Sequence, residues 1–238
     1  MNMYITSINK NSGKTVISAG IAAVMQSLGY NAGVYKPVQT GAIDKGKFLI
    51  SPDLTFVKML DPYITTHCTY MMKEKVIPVI SGVKEKNKID LQEIKRDYLK
   101  LEKKTDILIV EAPGGLMSPI CDGVYSYHIP LLLKIPVVFV VNPSIDAVEQ
   151  YLSGVYCAKS LGLDVTGVII NKFPVYSELE EIKSFPSIIE KYCDIKILGL
   201  IRNFKGKTVK ANTLINEILN GIDLEDALRM KIPKLNIY

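Results

Sequence analysis

The chain contains no tryptophan and only two histidines, His67 and His128. Its four cysteines, Cys68, Cys121, Cys157 and Cys193, stand far apart with no C-x-x-C pair among them. That spacing argues against a zinc site and against dithiol redox chemistry, and isolated thiols fit a reducing compartment. His67 and Cys68 are neighbours, but one such pair makes neither a metal centre nor a catalytic dyad, so packing or surface chemistry is the expectation there. A strong charge bias is also missing: 29 basic residues stand against 24 acidic ones, a net of +5. The densest basic stretches, 84–88 and 100–104, are interrupted by Glu85 and Glu102, which describes a solvated face and not a nucleic-acid surface. No apolar run approaches the roughly 20 residues of a membrane helix. The N-terminus runs directly into a strand, without a basic segment followed by an apolar one, so no signal peptide is visible. A soluble, cytoplasmic protein with neither nucleic-acid nor membrane partners is expected.

What the chain does have is 48% hydrophobic residues in a length of 238, which suits a single α/β domain over 1–238. Short β-branched runs predict strands over 3–7, 31–35, 106–111, 137–141, 165–171 and 195–200. These runs are almost continuously apolar, as in parallel strands covered on both faces. Between them, helices are predicted over 14–28, 52–60, 91–103, 146–161, 178–191 and 208–220. Ser51-Pro52 places a capping hydroxyl before a proline at the first helical position, and Ser177 with Glu180 fits a capping box. Gly29 and Gly162 fall where helix ends need a residue tolerant of positive φ. Repeated strand-helix units predict a doubly wound, mostly parallel sheet with helices on both faces, of the P-loop NTPase type. The stretch 61–88 reads as irregular, an insertion or lid.

Ligands of such sheets sit beyond the carboxyl ends of the strands. After the first strand, Gly13-Lys14-Thr15 opens a helix. Helix N-terminal amides bind phosphate, a lysine neutralises its outer oxygens and a hydroxyl reaches Mg²⁺. Asn11, Ser12, Gly13, Lys14, Thr15 and Val16 are thus the expected nucleotide-binding residues, although the strict motif would need glycine at Ile8. After the second strand, Lys36 is followed by Pro37 and points a second cation at the same site, or marks a surface turn. Asp53 stands in a helix's first turn, where the dipole alone also favours it. Glu111 ends a buried strand and is costly there unless paired or bound to metal. With Thr15 and Asp53 it makes a set of hard oxygen donors suited to Mg²⁺.

The order GKT, YKPVQTG, SPD and VEAPGG resembles the dethiobiotin synthetase family, whose own loop reads G-T-D-T-x-V-G-K-T with its first glycine at the position of Ser7. The resemblance implies a cytoplasmic homodimer of P-loop domains that uses ATP and Mg²⁺ to carboxylate and close 7,8-diaminopelargonate with CO₂. It implies that Lys14 and Lys36 hold carbamate and γ-phosphate, and that Thr15, Asp53 and Glu111 bind the metal. Thr40 matches a hydroxyl near the substrate amine, Gly114 and Gly115 a loop against the substrate, and Asn171 an adenine contact.

Three departures stand out. The G-T-D-T segment is Ser7-Ile8-Asn9-Lys10 here, with an amide for a carboxylate and Lys10 for a threonine. The segment expected to receive a substrate carboxylate carries Asp146 and Glu149, which repel one. Arg202 stands where the family commonly has proline. They keep two alternatives open: a related MgATP-dependent ligase or amidotransferase-like enzyme on a different acid or amine, and a non-catalytic nucleotide switch.

Overall fold

The computed structural model describes residues 1–204 and 210–233. Along the chain its strands are β1 (Asn2–Thr6), β2 (Ala32–Thr40), β3 (Ile43–Asp44), β4 (Leu49–Ile50), β5 (Thr65–Met72), β6 (Ile107–Glu111), β7 (Pro119–Cys121), β8 (Val124–Tyr125), β9 (Val137–Val141), β10 (Val165–Phe173) and β11 (Ile197–Arg202). The helices are α1 (Lys14–Ser27), α2 (Pro52–Leu60), α3 (Pro78–Lys84), α4 (Leu91–Glu102), α5 (His128–Leu133), α6 (Val148–Ser160), α7 (Glu180–Cys193), α8 (Ala211–Gly221) and α9 (Leu224–Leu228), with a 3₁₀ turn at Ile145–Ala147 leading into α6. Among the described residues no helix is long and apolar enough to cross a membrane.

Seven strands form one sheet in the order β11-β10-β9-β1-β6-β2-β5, and each neighbouring pair is parallel. β3 with β4 and β7 with β8 are small antiparallel hairpins. Side chains along a strand point alternately to the two faces, so each strand feeds two cores. Tyr4, Leu108, Val110, Phe139 and Ile170 join α4, α6 and α7 on one face. Met3, Ile5, Ile107, Ile109, Val138 and Val140 join α1, α2 and α8 on the other. This is why the strand sequences read as unbroken apolar runs. The sheet grows outward in opposite directions from β1, toward β5 on one side and β11 on the other. The loop after β1 therefore opens at the crevice where an α/β sheet binds ligands.

The six expected strands and six expected helices are present, with ends shifted by a few residues; the expected start of the last helix at Thr208 lies outside the described residues. Ser51 caps α2 by accepting from Leu54 N at 3.1 Å, and Gly29 and Gly162 have φ of 80° and 76°. Three expectations are corrected. The stretch 61–88 holds the edge strand β5 and helix α3; β5 reads TTHCTYMM and is only partly buried, so it lacks the apolar run of the inner strands. Lys36 is not after a strand, because β2 runs on through Pro37 to Thr40, paired to β5 after β6 has ended. Ser177 does not cap α7: the helix starts at Glu180 after Leu179, and the Ser177 hydroxyl accepts from Leu179 N instead. His67 fits the expectation of packing or surface chemistry: it stacks on Tyr35 and, partly exposed, pairs with Asp97 at 3.0 Å.

Candidate active site

The loop from Ser7 to Gly13 takes its shape from backbone conformations few residues adopt. Asn11 and Gly13 have φ of 59° and 91°. Asn tolerates the left-handed region and Gly enters it without steric cost. From β10, Asn171 Nδ2 donates to Ser12 O at 2.8 Å and Lys172 Nζ to Asn11 O at 2.6 Å. From the other side, Leu116 N donates to Ser7 O at 2.8 Å, and a β-carbon on Gly115 would stand 2.8 Å from Ile8 O. Gly115 thus packs against the loop that follows β1, while Gly114 lies against Ser118. The N-cap of α1, Gly13, makes no side-chain cap, and the first turn carries no acid. The amides at this helix start thus have no cap from the Gly13 side.

Charged side chains converge in front of that helix. Val110 pairs with Tyr35 in the sheet, so Glu111 and Lys36 leave adjacent strands side by side. Lys36 Nζ donates to Glu111 Oε1 at 2.6 Å and also to Asp53 Oδ2. Asp53 is delivered by the first turn of α2, and that turn is tied to β2 because Ser51 Oγ donates to Gln39 Oε1 at 2.7 Å. Thr15 Oγ1 donates to the same Glu111 oxygen at 2.8 Å. Lys14 Nζ donates to Ser7 Oγ at 2.9 Å.

Burial pulls the Lys14 ammonium down to about 8; Glu111 opposes this, Lys36 adds to it and Asp53 opposes it. Burial works against the Lys36 ammonium too, but Glu111 and then Asp53 outweigh it and hold the group above the ordinary lysine value. These mutual effects place both lysines in one electrostatic field with both carboxylates.

Glu111 is 1% exposed, and its Oε2 has no hydrogen-bond partner among the described residues. An orphaned, buried carboxylate oxygen is costly and calls for a cation or a donor. Among the described residues no group of three or more His, Cys, Asp and Glu side chains forms a metal cage. One or two carboxylates completed by phosphate oxygens and water is nevertheless the usual environment of Mg²⁺ in phosphoryl transfer. Thr15, Asp53 and Glu111 fit that description.

Two concavities flank the centre. Val16, Phe56, Met59, Leu60, Asn171 and Phe204 contribute to one of about 530 Å³, largely apolar and beside the start of α1. Arg202 also lines it, but pairs with Glu217 at 2.8 Å and lies 5.4 Å from the Phe204 ring centre. The second, an open groove of about 520 Å³, is lined by Ile8, Met117, Glu149, Ser153, Gly154 and Cys157. Asp146 and Lys10 are exposed. Thr40 ends β2, four residues beyond Lys36, roughly 13 Å along an extended strand. Sequence reasoning missed Ser7 as the anchor of Lys14, Lys172 as a clamp on the loop after β1, and Phe56 and Met59 as cavity walls. The spacing of Phe56, Met59 and Leu60 on one side of α2 was the available signal.

A family model described as an AAA domain matches residues 1–208. The ATP-dependent dethiobiotin synthetase BioD of Bacillus cereus (strain G9842) is 30% identical over 214 residues, spanning 89% of this chain and 87% of its own length. The chain belongs to the dethiobiotin synthetase family. Members of this family are ATP-dependent cyclo-ligases. A second dethiobiotin synthetase, from Bacillus subtilis (strain 168), is 26% identical over 224 residues, spanning 93% of this chain and 94% of its own. Among solved structures, the septum site-determining protein MinD of Pyrococcus horikoshii OT3, complexed with Mg-ADP, aligns with a TM-score of 0.59 at 16% identity and covers 92% of this chain and 94% of its own. At that identity the likeness shows a shared fold alone.

Proposed function

We propose that the chain converts 7,8-diaminopelargonate, CO₂ and ATP into dethiobiotin, ADP and phosphate. One substrate amine attacks CO₂, loses a proton and becomes a carbamate. A carbamate oxygen attacks the γ-phosphorus, and ADP leaves. The second amine attacks the carbon of the resulting carbamic-phosphoric anhydride, closing the ring and releasing phosphate. Negative charge sits on phosphate and carbamate oxygens at each stage, so fixed cations and aligned amides carry the catalysis.

Two lysines approach one site from separate elements, Lys14 from α1 and Lys36 from β2, and this convergence is the observation that carries the reading. Lys14, at the start of α1, is assigned to the β- and γ-phosphate oxygens; Lys36 is assigned to the carbamate and the transferred phosphoryl group. Asn11 to Val16 supply amides to the phosphates, and Thr40 lies along β2 toward the diamine. Thr15, Asp53 and Glu111 are assigned to Mg²⁺, which when bound neutralises charge on the phosphates. The apolar cavity beside Val16 is assigned to the adenine, with Asn171 at its rim. A homodimer is part of this proposal.

Phosphate release measured with each component omitted in turn tests the reading. Release that requires ATP, bicarbonate and the diamine together supports it; release indifferent to the diamine refutes it. One observation favours a second reading, a ligase of the same chemistry on a different diamine or acid. The groove beside Ile8 includes Glu149 and no cationic side chain among its described lining residues, so it offers a carboxylate no ion-pair partner. Failure to bind the diamine at millimolar concentration, with ATP-analogue binding intact, supports that alternative.

A further inference from the structure

Lys36 does more in this structure than wait for substrate. Its ammonium is buried between the two carboxylates assigned to the metal, with Glu111 Oε1 at 2.6 Å and Asp53 on its other side. The lysine side chain is 7% exposed and that of Glu111 1%. The Glu111 oxygen that takes the ammonium also takes the Thr15 hydroxyl, while Oε2 has no partner among the described residues. Two of the three expected metal ligands thus already hold a cation that is a side chain, and the third, Thr15, shares the Glu111 oxygen.

We propose that Lys36 is the resident cation of the divalent-metal site, bridging Asp53 and Glu111 until metal entry expels it toward the reacting anion. The proposal rests on the magnesium assignment above. Magnesium needs oxygens at roughly 2.0–2.1 Å in an octahedron, and the Glu111 Oε1 and Asp53 Oδ2 lone pairs pointed at the ammonium are not available for that shell. Charge gives the same answer. Lys36 and Lys14 against the two carboxylates already leave the cluster near neutral. A dication neutralises the two carboxylates by itself, and an ammonium retained beside it leaves an uncompensated positive charge out of water. Lysine has a flexible four-carbon stem, so relocation costs little covalent strain. The nearest stable place for it is the phosphate or carbamate that enters with the metal. Lys36 is therefore offered to the reacting anion only after the metal–nucleotide complex has bound, and the bare enzyme holds divalent metal weakly.

Two measurements on the full chain test this. Mn²⁺ binding is followed by electron paramagnetic resonance without nucleotide, in the wild type and in Lys36→Met, with ADP added afterwards as a control. At least tenfold tighter Mn²⁺ binding by Lys36→Met supports the proposal; equal or weaker binding by the folded variant overturns it. Acetic anhydride labelling of wild-type Lys36, read by mass spectrometry, is compared with and without saturating Mn²⁺ alone. Labelling at least threefold faster with Mn²⁺ supports expulsion, and an unchanged rate overturns it even if Lys36→Met does not fold. Absence of Mn²⁺ binding to either protein with ADP present refutes the magnesium assignment and the proposal with it; binding that is merely indifferent to Lys36 refutes the proposal alone.

Discussion

The carboxamide nitrogen of Asn171, at the far end of β10, fills the place where a β-carbon on Gly13 would stand. The residue before Lys14 is glycine for two independent reasons: its φ of 91°, and an asparagine pressed against it from another strand. Gly13→Ala is expected to distort the phosphate loop and weaken ATP-analogue binding by about 10- to 100-fold, from strain of about 1–3 kcal/mol. Isothermal titration checks this; wild-type affinity in the variant would mean the loop does not hold the phosphates.

Glu111 holds Thr15 and Lys36 through one oxygen. Glu111→Gln keeps the shape but removes the charge that stabilises a buried ammonium. A loss of stability of about 1–3 kcal/mol is expected in urea titrations, together with a fall in turnover of at least 100-fold. A variant that turns over normally would remove Glu111 from the metal set.

The depressed Lys14 makes nucleotide binding depend on pH. Its ammonium in the free enzyme is lost as pH rises through about 8, and an anionic phosphate placed beside it restores the charged form. ATP affinity is expected to fall between pH 7 and 9.5, and binding near pH 9 to take up close to one proton. Calorimetry in buffers of different ionisation enthalpy reads that uptake. For stability the sign is opposite. The unfolded lysine titrates near the ordinary 10.5, so between about 8 and 10.5 the unfolded chain binds more protons, and this group makes the ligand-free fold more stable as pH rises. Lys14→Met is expected to abolish both effects.

Glu149 lies in the groove beside Ile8. If the diamine's carboxylate reaches that groove, Glu149→Gln relieves a repulsion on the order of 1 kcal/mol. KM for the diamine is then expected to fall about fivefold with kcat unchanged. An unaltered KM would place the carboxylate elsewhere.

Gly115→Ala puts a methyl group 2.8 Å from the Ile8 carbonyl oxygen and 3.1 Å from that of Ser7. Backbone cannot yield as a side-chain tip does, so the phosphate loop must shift. Weaker nucleotide binding is expected with the melting temperature lowered by only a few degrees, read by titration and thermal unfolding side by side.

The doubly wound sheet is legible along the chain, because strands such as Val137–Val141 supply side chains to two cores and so read as uninterrupted apolar runs. The sequence also marked Gly13-Lys14-Thr15, Asp53 and Glu111, since a charged residue at the end of a buried strand or the start of a helix is a local signal. It did not show β5, whose half-exposed edge position leaves no periodic pattern, nor the continuation of β2 past Lys36, since Pro37 reads as a turn until the neighbouring strand is seen to end. Long-range packing sets Lys36 beside Glu111, presses Asn171 on Gly13 and seats Gly115 against Ile8. Each of those contacts joins residues more than 70 positions apart, and sheet register, which no local stretch encodes, is what brings them together.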